Sequence, residues 1–488
     1  MEAREIGPRH QRGGQEEPRM SVQPTHNLSL EEMDKQSFLH PYTPLKDHNE
    51  TGPTIVASAQ GVNITDTKGK EYIDSMAGLW CVNIGWGREE VVEAIAEQAS
   101  KLAYYHSFAS MANEASIRLA DRILRLAPDN MSKIFFGNSG SDANDTNVKL
   151  VWYFNNLRGK PEKKKIISRH RGYHGVTVAA ASLTGIPMVH KAFDIPLPMM
   201  RHTVMPHYYA NAEPGMSELE FSKWCAAKLE EMIIEEGPDT VAAFIAEPVM
   251  GAGGVVPPPE SYFQEIQAVL NKYDVLLIAD EVITGFGRTG NWFAAETYNF
   301  QPDIMTIAKG LTSGYIPMSA SIISEDIWQV LMNGTPEVGA FAHGYTYSAH
   351  PVAAAAAMAN LDIMERENLP ANAARMGTYF HNKLRQEVAD HPLVGDVRGV
   401  ALMAGVELVA NKANKTPLDM DLKVAPTLSK YCIEEGLISR ALMQMNALSF
   451  SPPLVINESE VDEVIARFQR ALNRVTDELV KAGTWKAQ

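Results

Sequence analysis

Two short apolar runs in the middle of the chain each end in a charged residue. Residues 275–279 (VLLIA) precede Asp280, and residues 304–308 (IMTIA) precede Lys309. Runs of this length and composition predict buried strands. A carboxylate and an amine at the ends of buried strands are costly unless they pair or bind something, and lysine is rarely buried without a partner. The two residues therefore predict a ligand site at one edge of a sheet.

A turn of small residues upstream predicts an anion site. Residues 133–136 (KIFF) predict a strand that runs into residues 137–142 (GNSGSD), and a helix is predicted over residues 143–157. Free backbone N–H groups and the helix dipole converge at such a helix start. The turn lacks both the Gly-Lys-Ser/Thr ending of a P-loop and the full Gly-x-Gly-x-x-Gly pattern. Taken alone it is a weak signal, because many strand-to-helix turns are rich in Gly and Ser.

The three features together predict pyridoxal 5'-phosphate as the cofactor. The Lys309 amine can form a Schiff base with its aldehyde, the Asp280 carboxylate can face its ring nitrogen, and the turn can hold its phosphate. Each feature alone has a plainer interpretation. An aspartate after a strand is usually an N-cap or turn residue, and a lysine before a glycine usually ends a solvated loop.

The order of predicted elements indicates an α/β fold. Strands and helices alternate over residues 117–323, which predicts a mostly parallel sheet flanked by helices. Ligands of such sheets bind beyond the carboxyl ends of the strands. Helices and a strand pair after residue 351 predict a smaller α+β domain. An amphipathic helix over residues 89–102 is predicted to bury Val92, Ile95, Ala96 and Ala99. The predicted organisation is a disordered tail (1–30), an N-terminal segment that packs with the small domain (31–84), a large cofactor-binding domain (85–350) and a C-terminal small domain (351–488).

Composition excludes several classes of protein. The chain has 488 residues, 45% of them hydrophobic and 21% charged, which is typical of a globular protein. The formal net charge is −15, and the basic stretch at residues 163–165 is short, so nucleic acid is not an expected partner. No apolar run is long enough to cross a bilayer. The widely spaced Cys81, Cys225 and Cys432 give neither a disulfide framework nor metal-ligand spacing. The first twenty residues resemble neither a signal nor a transit peptide, so a cytoplasmic protein is expected. No metal is expected.

The chain resembles the class III aminotransferases, the fold-type I pyridoxal phosphate family that includes the omega-amino acid:pyruvate transaminases. The motifs that carry the resemblance span most of the chain in the family's order. They are residues 137–143 (GNSGSDA), 173–175 (YHG), 247–249 (EPV), 280–290 (DEVITGFGRTG), 309–310 (KG) and 343–347 (HGYTY).

The resemblance implies roles for the residues around the cofactor. Lys309 holds the cofactor and later moves the substrate proton, and Asp280 pairs with the ring nitrogen. Ser141 and the backbone of Ser139 and Gly140 bind the phosphate. Thr346 is implied to reach the same phosphate from the second subunit of a homodimer, with a tetramer as the open alternative. A Thr between two tyrosines is also a typical strand residue.

Four further residues are implied to surround the ring. Tyr173 stacks on one face, where an aromatic side chain excludes water at small entropic cost, and Val282 packs on the other. His174 is interpreted as structural in preference to a catalytic base. Glu247 is expected near the phenolic side of the cofactor, and its plainer interpretation is a strand-end carboxylate whose hydrogen bonds are satisfied.

Tyr173 is also implied to contact the substrate, and three further positions bear on it. Trp80 is implied to wall the active site, although a core aromatic between domains is a comparable interpretation. Arg440 is implied to be the mobile arginine that clamps the substrate carboxylate, because its planar fork binds carboxylate through two parallel hydrogen bonds. Ile283 stands where family members acting on ornithine or 4-aminobutyrate usually carry glutamine. This departure favours the omega-amino acid:pyruvate subgroup.

The predicted function is therefore transamination by a ping-pong mechanism. The donor is an ω-amino acid or small primary amine, and the acceptor is pyruvate. Taurine, hypotaurine or a diamine as donor remain open, as do decarboxylation and aminomutase chemistry on the same fold. A cofactor-binding regulator would need a DNA-binding module, and a nucleotide-binding protein is the weakest alternative.

Overall fold

The structure, a computed structural model, describes residues 28–442 and 445–486. Of residues 335–337 it describes the backbone alone. Residues 1–27 of the predicted tail lie outside the described residues. The chain divides into two compact units, one ending at Val56 and the other covering Ala57–Gln488. Within the described residues, no helix is both long enough and apolar enough to span a membrane.

The first unit contains two short helices, α1 (Leu30–Ser37) and α2 (Leu45–Thr51). A capping box fixes the start of α1, with Ser29 and Glu32 exchanging side-chain and backbone hydrogen bonds. The Asp34 carboxylate lies between two imidazoles, 2.7 Å from His40 Nε2 and 2.8 Å from His48 Nε2. This carboxylate therefore ties α1 to α2.

The strands fall into three sheets. Their bounds are β1 Val56–Gln60, β2 Asn63–Asp66, β3 Glu71–Asp74, β4 Met131–Gly137, β5 Lys165–Arg169, β6 Met200–Thr203, β7 Val241–Ala246, β8 Leu276–Asp280, β9 Ile304–Ile307, β10 Ser319–Ser324, β11 Val394–Val400, β12 Met403–Asn411, β13 Thr416–Pro417, β14 Leu437–Ile438, β15 Arg440–Ala441 and β16 Ala447–Phe450.

The other helices surround these sheets. They are α3 Ala77–Trp80, α4 Glu89–Lys101, α5 Glu114–Leu126, α6 Gly140–Leu157, α7 Val178–Leu183, α8 Pro187–His190, α9 Tyr208–Asn211, α10 Glu218–Glu236, α11 Tyr262–Lys272, α12 Ala294–Thr297, α13 Glu325–Val338, α14 Pro351–Arg366, α15 Leu369–Val388, α16 Val424–Glu434 and α17 Glu458–Lys481, with short 3-10 turns at Lys309–Leu311 and Met420–Leu422.

The largest sheet has seven strands in the order β4-β10-β9-β8-β7-β5-β6. Strand β10 runs antiparallel to both of its neighbours, and the pairs from β9 to β6 are parallel. Every residue of β7, β8 and β9 is buried, as expected where helices cover both faces of a parallel sheet. The mostly parallel sheet predicted from the alternation is therefore present.

The other two sheets join distant parts of the chain. Strand β14 pairs in parallel with β3, with Leu437 opposite Ile73, so the N-terminal hairpin and the C-terminal region share a sheet. Strands β11, β12, β16 and β15 form the third sheet, and β13 pairs with β12. Strands β2 and β3 therefore share a sheet with β14 of the C-terminal region. The predicted domain bounds, including the segment 31–84, stay a prediction.

The predicted buried face of α4 is only partly right, because Ile95 packs against the core but its predicted companions do not. Val91 is fully buried, whereas Val92 is 57% exposed and Ala96 and Ala99 are also exposed. The apolar residues of α4 form one broad side of the helix, and only the part of it around Val91 and Ile95 packs, so hydrophobicity alone did not identify the buried strip.

Candidate active site

Asp280 and Lys309 lie at the same edge of the seven-stranded sheet. Asp280 is the last residue of β8 and pairs in register with Thr306 of the parallel strand β9. Lys309 follows the end of β9 and opens a 3-10 turn. Its φ of +43° lies in the left-handed region, which a non-glycine residue adopts at a cost in strain. The strand ends therefore bring the carboxylate and the amine together, as the two apolar runs predicted.

The charges around Lys309 favour a neutral amine. Burial lowers the pKa of the Lys309 amine from its usual value, and nearby Arg440 lowers it further. Cys81, Asp280 and Glu247 act in the opposite direction without reversing the shift. A depressed pKa is what both a nucleophilic amine and a proton acceptor require near neutral pH.

One oxygen of the Asp280 carboxylate is saturated by buried donors. His174 Nδ1 lies 2.8 Å from Asp280 Oδ2, and Asn144 Nδ2 donates to the same oxygen at 2.9 Å. Within residues 28–442 and 445–486, the other oxygen accepts a single long hydrogen bond, from Val282 N at 3.2 Å. Because Asp280 is 4% exposed, Oδ1 is a buried acceptor with spare capacity.

A capping box shapes the turn that opens α6. Ser139 is the N-cap residue, and its hydroxyl accepts a hydrogen bond from Asp142 N. The Asp142 carboxylate accepts in return from Ser139 N at 3.0 Å and from Asn138 N at 2.9 Å. The Ser139 N–H is thus engaged by Asp142, and the predicted contact of the Ser139 backbone with a phosphate stays a prediction. The N–H groups of Gly140 and Ser141 lie in the first turn, where helices leave donors without intrahelical partners.

The loop after β5 packs against the turn that opens α6. Val176 N donates to Ser141 Oγ at 3.0 Å, which leaves the Ser141 hydroxyl proton available to an anion. Gly175, at φ +132°, lies so close that a Cβ there would be 2.5 Å from Ser141 Oγ. Only a glycine permits this approach.

Replacing Asp142 by alanine is expected to weaken the anion site and to destabilise the protein by about 1 kcal/mol, the usual cost of losing a helix cap. The variant would lose the acceptor shared by Asn138 N, Ser139 N and Ser319 Oγ. The measurements are the free energy of unfolding and the dissociation constant for pyridoxal phosphate.

Glu220→Ala is the matched control, because Glu220 closes an equivalent capping box with Ser217 at the start of α10. It should lower stability by a similar amount and leave the cofactor dissociation constant unchanged. Equal weakening of cofactor binding in both variants would contradict the role given to the α6 turn.

Val282 and Tyr173 are the side chains predicted to cover the ring. Val282 contacts Gly140, since a Cβ at that glycine would lie 3.0 Å from Val282 Cγ2. Tyr173 packs against the apolar cluster of Ala181, Ile186 and Val189. Val282 and the loop that carries Tyr173 thus lie near the start of α6, and their contacts with the ring stay a prediction.

Glu247 is a buried carboxylate that fixes two loops. Its oxygens accept hydrogen bonds from Tyr173 N and Gly251 N, both at 2.9 Å. Burial raises the pKa of Glu247, and the charges of His174 and Arg169 partly offset that rise. Both of its oxygens are satisfied by backbone donors, which favours the plainer interpretation, although Glu247 lies close enough to act on the charge of Lys309.

Trp80 and Ile283 belong to one apolar cluster. The cluster also contains Met76, Val249, Val255, Met403, Leu442 and Ala447. Trp80 is 2% exposed and has a φ of +63°, so it is both buried and held in a strained conformation. Its neighbour Cys81 is close enough to Lys309 to influence the charge of the amine. The indole therefore lies within the core beside the site.

Arg440 lies in a strand of the third sheet, whereas Thr346 lies in an exposed turn. Arg440 lies in β15 opposite Ser449 of β16, and its charge acts on Lys309. Thr346 lies in an exposed turn, which excludes the strand interpretation, and its carbonyl accepts a hydrogen bond from Tyr104 Oη at 2.6 Å.

Asn144 and Thr306 also surround Asp280, and the sequence did not predict this. Asn144 is 1% exposed and joins Asp280 to α6, and Thr306 lies beside Asp280 within an otherwise apolar strand. A signal was available, because Asn144 and Asn147 repeat at helical spacing on the face of α6 that must pack on the sheet.

These residues fit pyridoxal phosphate. Lys309 supplies an amine with a depressed pKa, Asp280 Oδ1 is a buried anionic acceptor with spare capacity, and the start of α6 supplies N–H donors for a phosphate. Lys309, Asp280, Gly140 and Ser141 would hold the cofactor.

Comparisons with known proteins agree with this assignment. Residues 45–472 match the family described as Aminotransferase class-III. A diaminobutyrate–2-oxoglutarate transaminase of Halomonas elongata is 52% identical over 467 residues, which cover 95% of this chain and 100% of the relative. A putrescine–pyruvate aminotransferase of Pseudomonas aeruginosa is 44% identical over 442 residues, covering 91% and 95%. The crystal structure of the omega transaminase from Pseudomonas jessenii in complex with PMP superposes with a TM-score of 0.90 at 47% identity, covering 92% of this chain and 99% of that chain.

Fold and site together define a fold-type I transaminase that depends on pyridoxal phosphate. The chain belongs to the class-III aminotransferase family. The predicted family, fold class, enzyme class and cofactor are thereby confirmed.

Proposed function

We propose that this enzyme transfers an amino group from an ω-amino acid or a small primary amine to pyruvate in a ping-pong reaction. The carrying observation is the convergence of Lys309, Asp280 and the start of α6 at one edge of the sheet. When bound, pyridoxal phosphate supplies the electron sink that stabilises a carbanion next to the transferred nitrogen.

Lys309 is proposed to have two roles in succession. Its amine would hold the cofactor and, once the donor amine has taken its place, would accept and pass on the proton of the donor carbon. Both roles need an unprotonated amine, which the depressed pKa of Lys309 favours.

Asp280 is proposed to keep the ring nitrogen protonated through Oδ1. A charge-assisted hydrogen bond in a buried site stabilises charge that develops in the transition state. His174 and Asn144 hold the opposite oxygen, which supports His174 as a structural residue.

The substrate side of the site is proposed to combine an apolar wall with a cation. Trp80 and Ile283 share the apolar cluster that would receive the carbon chain of the donor. Arg440 would bind the carboxylate of an ω-amino acid or of pyruvate through its planar fork.

Diamine donors are a second candidate, because two relatives support them. The Halomonas elongata relative is a diaminobutyrate–2-oxoglutarate transaminase and the Pseudomonas aeruginosa relative a putrescine–pyruvate aminotransferase. The first of them also makes 2-oxoglutarate a competing acceptor. Taurine and hypotaurine remain further donors to test.

A homodimer with a shared active site is proposed to be the working form. Tyr104, Tyr105, Phe108 and Tyr347 are exposed, and Tyr104 contacts both Tyr347 and the carbonyl of Thr346. Exposed aromatic groups of this kind mark contact surfaces. A second copy packed against these aromatic side chains would receive Thr346 at its phosphate site. A cytoplasmic location is also proposed. Sedimentation should give about twice the chain mass of 53.8 kDa.

A donor panel tests the proposed function. ω-Amino acids, plain amines, diamines, taurine and hypotaurine are each supplied with pyruvate or with 2-oxoglutarate. One alanine formed per pyruvate without carbon dioxide supports transamination, whereas release of carbon dioxide indicates decarboxylation and an isomerised donor indicates mutase chemistry. Parallel double-reciprocal plots support the ping-pong order, and intersecting plots contradict it.

Arg440→Ala is expected to raise the KM of carboxylated donors and of pyruvate by roughly 10-fold to 100-fold, because a bidentate charged contact is lost. The half-reaction with a plain amine donor should change by less than about threefold. Arg398→Ala is a useful comparison, since Arg398 pairs with Asp396 and Glu407 on the third sheet. Equal losses for carboxylated and plain donors would contradict the proposed clamp.

A further inference from the structure

Asn144 lies directly behind the Asp280 carboxylate. Its Nδ2 donates to Asp280 Oδ2 at 2.9 Å and to the carbonyl oxygen of His174 at 2.7 Å. Its Oδ1 accepts from Thr306 Oγ1 at 2.7 Å. One amide therefore links α6, the loop after β5, and strands β8 and β9.

The orientation of this amide is fixed by its neighbours. Asp280 Oδ2 and the His174 carbonyl can only accept hydrogen bonds, so the nitrogen of Asn144 must face them. The Thr306 hydroxyl is held in turn, because Asn147 Nδ2 donates to Thr306 Oγ1 at 2.7 Å. Because Thr306 Oγ1 accepts this hydrogen bond, its own proton is donated to Asn144 Oδ1. The hydrogen bonds therefore all run in one direction, from Asn147 through Thr306 and Asn144 to Asp280.

The direction of this chain determines which oxygen of Asp280 meets the cofactor. Oδ2 accepts both His174 Nδ1 and Asn144 Nδ2, and those two donors approach from different elements. A carboxylate held at one oxygen by two such donors cannot rotate without breaking buried hydrogen bonds. Oδ1 is then left on the open side.

We propose that Asn144 is a positioning residue for Asp280, locking the carboxylate so that Oδ1 faces the ring nitrogen. The inference rests on the proposed function and adds a residue that touches neither substrate nor cofactor. Thr306 supports Asn144 and sets the direction of its amide.

The test compares Asn144→Ala with Asn155→Ala. Asn155 lies on the same helix, is equally buried at 1% exposure, and donates to Val151 O away from the site. Asn144→Ala should lower kcat by roughly 10-fold to 100-fold, because a hydrogen bond to a charged group is lost, and should leave the KM of the donor nearly unchanged. Asn155→Ala should leave both constants unchanged.

A spectroscopic readout separates positioning from general destabilisation. The pH midpoint of the visible absorbance of the bound cofactor should shift upward in Asn144→Ala. A ring nitrogen facing a displaced carboxylate holds its proton less firmly, and the loss of that positive charge raises the pKa of the lysine nitrogen joined to the cofactor. Asn155→Ala should keep the wild-type midpoint even if its melting temperature falls.

Thr306→Val provides a second variant should Asn144→Ala fail to fold. Valine keeps the shape of the side chain in β9 and removes only the hydroxyl that directs Asn144. It should shift kcat and the absorbance midpoint in the same direction and by less. Wild-type kcat and midpoint in both variants, with kcat of Asp280→Asn reduced by roughly 10²-fold or more, would overturn the inference and leave the proposed function standing. Wild-type kcat in Asp280→Asn would instead remove the proposed role of Asp280 and the mechanism that depends on it.

Discussion

Lys309→Ala is expected to abolish transamination, with kcat reduced by roughly 10⁴-fold or more, because one residue supplies both the covalent attachment and the proton transfer. The purified variant should also lack the visible absorbance of lysine-bound cofactor. Its fold should be retained, since the alanine removes a buried amine whose pKa is already depressed by burial and so relieves a desolvation cost.

Lys163→Ala is the matched control for this variant. Lys163 is also a buried lysine, at 3% exposure, and its amine donates to the carbonyl oxygens of Val241, Tyr273 and Asp274. Its loss leaves those carbonyls unsatisfied, so the melting temperature should fall while the cofactor absorbance stays. Turnover by Lys309→Ala at more than about one hundredth of the wild-type rate would refute the mechanism.

Asp280→Asn, which hardly changes the shape of the side chain, is expected to lower kcat by roughly 10²-fold to 10³-fold. The amide has no charge to keep the ring nitrogen protonated, so the transition state loses more stabilisation than the ground state. The drop should appear in kcat, and cofactor retention should weaken less, because the phosphate contacts at the start of α6 remain. Steady-state kinetics and equilibrium dialysis of pyridoxal phosphate measure the two effects.

Asp303→Asn controls for the loss of an aspartate from the same pair of strands. Asp303 precedes β9 at the opposite edge of the sheet, accepts a hydrogen bond from Leu277 N at 2.7 Å, and has its pKa raised to about 6 by burial. This variant should keep the wild-type kcat. A similar fall in both variants would mean that the loss at position 280 reflects the sheet and not the cofactor.

The main residues of the site were predictable from the sequence because their positions depend on strand ends alone. An apolar run followed by a charged residue predicts where a buried strand stops, and parallel strands stop at a common edge. The positions of Asp280, Lys309 and the start of α6 follow from this rule. The family motifs then indicated which chemistry the three features serve.

Other features depended on contacts that no local pattern encodes. Ser139 and Asp142 satisfy each other within the turn, which moves the free N–H donors to Gly140 and Ser141. Val91 and Val92 both lie on the broad apolar side of α4, so only packing selects Val91 over Val92.

The sequence by itself determined the fold class, the family, the cofactor and the edge of the sheet at which the site lies. Only the tertiary structure decided how the Asp280 carboxylate is held, since Asn144, His174 and Thr306 come from three separate segments of the chain. The physical reason is that periodicity and strand-end chemistry are local properties, whereas the direction of a buried hydrogen-bond network depends on which donors and acceptors the fold brings within reach.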